Sequence, residues 1–172
     1  MNNSTLDLVK NILDKTLDMP AGRVWAYNGT QDLPEDRNLF IVLSYRRRTP
    51  YSCQARYKET QNGLAEVLTQ NYIEDILISL CSLNTEAREI APKVSPALSK
   101  SAYSQYIQEK YKIHISSIQP VEDNSFMEAT GRLNRFDITI RVYRAYEFEN
   151  SIDFYDKFPN TSKFEPEWLT EK

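Results

Sequence analysis

Glycine is scarce in this chain: Gly22, Gly29, Gly63 and Gly131 are the four among 172 residues. A loop that cradles phosphates needs clustered glycines, and neither G-x-x-x-x-G-K-[ST] nor a G-x-S-x-G elbow occurs, which speaks against nucleotide hydrolysis and against a hydrolase serine of that kind. His114 is the one histidine. Without further nitrogen ligands or neighbouring cysteines it makes a poor zinc ligand, and any serine or cysteine nucleophile would have this imidazole alone as its base. Cys53 and Cys81 are too few for a disulfide framework and are not spaced as a metal knuckle; both read as small apolar strand residues. No run of about 18 apolar residues is present to cross a bilayer. The start, MNNSTLDLVKN, lacks the basic-then-apolar order of a signal peptide, so the expected location is the cytoplasm. Lys and Arg number 21 against 24 Asp and Glu, a net charge of -3. The chain as a whole therefore lacks the positive field that drives nonspecific DNA association.

What is present suggests one α+β domain over residues 1–150 and a C-terminal extension over 151–172. Ser4 and Asp7 form an S-x-x-D start for a helix over 4–18, with Leu6, Val9, Leu13 and Leu17 at helical spacing and Met19-Pro20 as its stop. The period then changes to two. RVWAYN reads as a short strand, and NLFIVLSYRRR as a central strand with apolar residues on both faces. Thr49-Pro50 is turn chemistry, which sends SCQARYKET back as the second arm of a hairpin and puts Arg46, Arg47 and Arg48 at its tip. LAEVLTQNYIEDILISLCSLN fits either period; its β-branched and alternating residues favour a strand from about 71 to 83.

Asn84 is placed to cap a helix through EAREIA that Pro92 and Pro96 interrupt, and SKSAYSQYIQEKYK begins a second helix that buries Tyr103, Tyr106 and Ile107. KIHISSI reads as a strand and VEDNS as a loop. RFDITIRVYRAYEFE is the clearest strand, with Phe136, Ile138, Ile140 and Val142 on one face and Arg135, Asp137, Thr139 and Arg141 on the other. The resulting fold class is α+β, a mainly antiparallel, mixed sheet with helices packed on one face.

Two features invite a functional reading. The triplet in SYRRRTPYS offers phosphate contacts, with Tyr45 and Tyr51 to stack on bases; equally, its arginines can pair with acids of the same or a neighbouring subunit. The tail SIDFYDKFPNTSKFEPEWLTEK carries Phe154, Tyr155, Phe158, Phe164 and Trp168. These rings either close the chain's own core or, through Phe164 and Trp168, anchor the extension on another subunit. Glu147, Glu149, Asp153 and Asp156 read as solvated acids of a charged tail rather than a catalytic pair.

The stretch ILISLCSLNTEAREIA, followed by SAYSQYIQEKYKIHI and NRFDITIRV, resembles the tail-terminator or neck proteins of tailed bacteriophages, over about residues 23 to 150. In that family a strand enters a helix carrying alanines, and an arginine-containing segment opens the last amphipathic strand; Ala87, Ala91 and Arg135 stand in those places. The resemblance implies a structural virion protein without catalysis, cofactor or metal, made in the host cytoplasm. It implies a homo-oligomer, a hexameric ring that caps the tail tube protein and joins it to the head-tail connector, with DNA passing through the lumen. Arg46, Arg47, Arg48, Arg135, Arg141, Phe164 and Trp168 are the candidate subunit-interface residues. Alternatives are a head- or tail-completion adaptor of the same neck region, a small nuclease using Glu147, Asp153 and magnesium, or a DNA-binding module built on the arginines.

Overall fold

The computed structural model describes residues 4–26, 36–60, 63–128 and 131–151. The contacts of the described residues divide into two compact units, one within 4–53 and 70–146 and one within 54–69 and 147–151. Helix α1 (Thr5–Thr16) starts from the expected capping box: the Ser4 hydroxyl accepts from the Asp7 amide and the Asp7 carboxylate accepts from the Ser4 amide, each at 3.1 Å. Two of the amides left free at a helix start are satisfied this way. The helix ends two residues earlier than its apolar spacing suggests, with Leu17 as cap and Asp18 turning to φ 50°.

Strands β1 (Val24–Ala26), β2 (Phe40–Thr60), β3 (Gly63–Ser82), β4 (Ile113–Ile118), β5 (Glu122–Asp123), β6 (Phe126–Glu128) and β7 (Gly131–Ser151) form the sheet. The order is β1-β2-β3-β7-β4, with β5 and β6 also paired to β7. β1 runs parallel to β2; β4, β5 and β6 run antiparallel to β7. The architecture is α+β, as the order of periodic segments suggests. The hairpin, however, lies elsewhere than expected. β2 continues unbroken through Thr49 and Pro50 to Thr60, so the arginine triplet is in mid-strand and the segment SCQARYKET extends the same strand. β1 pairs with Ile41, Val42 and Leu43, and beyond these residues β2 is the edge of the sheet among the described residues. On an edge strand a proline whose nitrogen points outward removes no ladder bond. The VEDNS segment also departs from a plain loop: Glu122 and Asp123 pair with Asp137 and Phe136.

Helix α2 (Glu86–Ser99) carries Pro92 and Pro96 inside it and is not interrupted. The four-residue spacing puts both prolines on one exposed face, where the carbonyls they leave unbonded meet water. The opposite face buries Ala87, Ala91, Val94, Ala97 and Leu98, and this packing holds the helix together. The cap residue is Thr85 rather than the expected Asn84; the Asn84 side chain, one position earlier, accepts from the Glu86 amide at 2.9 Å, and Ser82 Oγ accepts from the Ala87 amide at 3.2 Å. Helix α3 (Ala102–Tyr111) is capped by Ser101, whose hydroxyl accepts from the Ser104 amide. Ile107 is buried and Tyr103 half-buried as expected, but Tyr106 is exposed and lies beside Lys110. No described helix is long and apolar enough to cross a membrane.

All three helices contribute to one apolar cluster. Leu8, Ile12, Leu13, Val94 and Leu98 meet Ile41 and Leu43 of β2, Ile76, Ile78 and Leu80 of β3, and Ile138, Ile140 and Val142 of β7. The helices therefore lie on one face of the sheet. In the second unit Ala65 and Val67 are buried, Tyr57 and Phe148 are exposed, and Arg56 pairs with Glu147 at 3.1 Å. The extension that holds Phe164 and Trp168 lies outside the described residues.

Leu80 is fully buried, whereas Leu83 on the same segment is 40% exposed. Leu80→Ala is expected to lower unfolding free energy in urea by about 3 kcal/mol, and Leu83→Ala by less than about 0.5 kcal/mol. Equal losses at the two positions would contradict this assignment of the core.

Candidate functional site

The three arginines do not act together. In a regular strand Arg46 and Arg48 would share a face. Yet Arg46 Nη1 donates to Thr139 Oγ1 at 3.0 Å, while Arg48 Nε contacts Glu74 Oε1 at 2.7 Å. Thr139 alternates with the core residues Ile138 and Ile140 and so points away from the helices; Glu74 is in phase with Ile76, Ile78 and Leu80 and points toward them. The alternation of β2 thus slips by one residue between Arg46 and Arg48, as at a β-bulge.

On the helix side this slip completes a buried polar cluster. Glu74 is 0% exposed, a costly place for a carboxylate unless it is paired. Arg48 supplies the charge, and the Tyr146 hydroxyl donates to the same Oε1 at 3.1 Å. The Arg48 guanidinium also lies 4.7 Å from the Tyr72 ring centre and 4.8 Å from that of Tyr146. Arg144, itself buried, donates to Thr5 Oγ1 at 3.0 Å and sits 4.6 Å from the Tyr146 ring, which joins β7 to the start of α1. Burial, reinforced by the Glu74 charge, pushes up the pKa of the Tyr45 phenol. These groups are mutually engaged, and the second carboxylate oxygen of Glu74 is buried without a hydrogen-bond partner among the described residues.

The other face has different chemistry. Arg141 forms two hydrogen bonds to Asp75, Nε to Oδ1 at 2.7 Å and Nη2 to Oδ2 at 3.1 Å. The Arg141 hydrogen bond holds the Asp75 carboxyl below its ordinary range against the opposing effect of partial burial, and the charges of Arg47 and Arg46 add to it. Of the three, Arg141 alone pairs with the carboxylate among the described residues. Arg47 donates to Thr49 Oγ1 at 3.0 Å, and among the described residues neither Arg46 nor Arg47 has a carboxylate at ion-pair distance. Further along, Tyr51, Tyr143 and His114 stand together. Tyr51 and Tyr143 meet edge to face with ring centres 5.9 Å apart, and His114 stacks on Tyr143 at 6.5 Å. They line an open groove of about 300 Å³ together with Asn71 and Lys112.

Toward the other end of β7, Arg135 Nε donates to Asp137 Oδ1 at 3.0 Å, and Asn124 Nδ2 donates to Oδ2 at 2.9 Å. Burial raises the Asp137 pKa, but the hydrogen bonds from Arg135, Ser79 and Asn124 outweigh it and leave the carboxyl below its ordinary range. Burial pushes the neighbouring Cys81 thiol up to about 11. Cys81 and Cys53 are both free thiols, and Cys53 is exposed rather than an apolar packing residue.

Of the residues singled out in the sequence, Arg141 pairs with Asp75, Arg46 donates to Thr139 and Arg47 to Thr49, Arg48 pairs with Glu74 on the helix side, and Arg135 pairs with Asp137 near Cys81. Phe164, Trp168 and Asp153 lie outside the described residues. Glu74, Asp75 and Tyr143 were not singled out as site residues, and His114 was weighed only as a metal ligand or base. Glu74 carried a usable signal, since it is a charge in phase with the apolar run Ile76, Ile78 and Leu80. Among the described residues no group of three or more His, Cys, Asp or Glu side chains is placed to hold a metal ion. No family model matches the chain, and no curated protein matches it.

The two depressed carboxyls set an acid limit. Their folded pKa values lie below the unfolded value of about 3.9, so the stability they contribute is complete above that pH and is lost as pH falls through the folded values. The melting temperature is expected to drop below about pH 4, and Asp75→Asn to flatten that drop. An acid limb unchanged in both Asp75→Asn and Asp137→Asn would contradict these shifts.

Proposed function

We propose that this chain is a non-catalytic structural subunit of a tailed-phage neck, a tail terminator that assembles into a hexameric ring between the tail tube and the head-tail connector. The observation that carries the reading is the passage from β3 into α2. Ala87 and Ala91, which the resemblance places in a helix entered directly from a strand, are buried on the inner face of α2 immediately after β3. Arg135 likewise stands near the start of the last amphipathic strand. These placements agree with the order of elements that the resemblance implies.

A closed ring needs two different patches that meet repeatedly until the rotation closes. The sheet supplies two chemically distinct sides, one covered by helices and one with Arg46, Arg47, Arg141 and Tyr143. β2, β3 and β7 are 21, 20 and 21 residues long, several times the usual five or six. Their distal parts carry the exposed rings Tyr57 and Phe148, apolar area suited to cover by a neighbour. Arg48 leaves the set of interface candidates, because it is committed to Glu74.

Light scattering coupled to size exclusion, over a concentration series and with the tube or connector protein added, tests the reading. The expected species is about six times the 20.1 kDa subunit mass. A monomer that persists at every concentration and with both partners present would overturn it.

A further inference from the structure

The face of the sheet that turns away from the helices, offered above as one side of a ring contact, also carries an open groove lined by aromatic rings. On this face Arg141 pairs with Asp75, while the exposed Arg46 and Arg47 have no carboxylate at ion-pair distance among the described residues, on a chain whose overall charge is -3. The aromatic groups lie next to the arginines along the same strands. Tyr143 is two residues from Arg141 on β7, Tyr51 follows the slip in β2, and His114 is the direct partner of Tyr143 on β4. Tyr51 is 53% exposed and His114 is exposed. Lys112, the left-handed cap of α3, brings a further cation to the groove.

We propose that this face binds single-stranded nucleic acid. Arg46, Arg47 and Arg141 attract successive phosphates, and Tyr143, Tyr51 and His114 present ring surfaces to the bases. Stacking on aromatic rings combined with a cationic track is the usual physical basis for sequence-tolerant single-strand binding, and an open antiparallel sheet displays such rings in rows. The geometry favours this partner over an acidic protein. A protein interface core is dry, whereas here Tyr51, Tyr143, His114 and Lys112 line an open groove. A duplex keeps its bases stacked on one another and offers the rings nothing, and the chain's net negative charge opposes binding through phosphates alone.

The test is fluorescence anisotropy of a labelled oligothymidine of about 20 nucleotides, titrated with the full chain between about 50 and about 200 mM salt. Three phosphate contacts predict a slope of roughly -2 in log affinity against log salt, about a sixteenfold loss over that range. Tyr143→Leu is expected to weaken binding on the order of tenfold, and Arg46→Ala with Arg47→Ala to reduce the slope by roughly one. A blunt duplex of the same length binds more weakly. Circular dichroism establishes that each variant is folded, and the exposed arginine pair serves if Tyr143→Leu is not.

No anisotropy change at the lowest salt would overturn the proposal, as would binding that neither variant alters. So would variants that change only the assembled mass, which identifies the face as a protein interface. Light scattering reads the ring separately, so a ring that binds no oligonucleotide and a monomer that binds it distinguish failure of one idea from failure of the other.

Discussion

A fully buried carboxylate needs a cation within reach, and in this fold that requirement falls on Glu74 and is met by Arg48. The pairing is possible only because β2 slips by one residue after Arg46. Without the slip, Arg48 would point away from the helices and Glu74 would be a lone charge beside the apolar cluster. The same slip leaves Arg46 and Arg47 near Asp75 on the other side. One local irregularity thus decides which arginine meets Glu74 on the helix side and which stand on the other side of the sheet.

The two sides of the sheet then differ in kind. Toward the helices, Ile41, Ile78 and Ile140 are closed over by α1, α2 and α3, and the polar groups near Glu74 engage Arg48, the Tyr146 hydroxyl, Thr5 and Arg144. On the far side, carboxylates are outnumbered near Asp75, and the rings of Tyr51, Tyr143 and His114 line a groove instead of a core. One side thus sustains the fold, and the other is chemically distinct from it.

Much of this was legible from local chemistry. The capping box at Ser4 and Asp7, the stripe of α1 and the alternation of β7 each depend on a few neighbouring residues, and each appears as read. The course of β2 was not legible. Thr49-Pro50 carries turn chemistry, and only the position of β1, which leaves β2 an edge strand beyond Leu43, explains why a proline is tolerated there. The prolines of α2 misled for a related reason, since tertiary burial of Ala87, Ala91 and Val94 outweighs their local penalty. The site was half legible. Composition drew attention to the arginines, but their division depends on long-range partners in β3 and β7 that no local pattern reveals.

The most direct measurement is a double-mutant cycle between Arg48→Met and Glu74→Gln, read as unfolding free energy in urea. The account predicts a loss of about 3 kcal/mol for Arg48→Met alone, because it strands a buried charge. In the Glu74→Gln background that loss should shrink by more than half, a coupling of about 2 kcal/mol. Losses that add to within about 0.5 kcal/mol would show that Glu74 does not depend on Arg48, and would contradict the account.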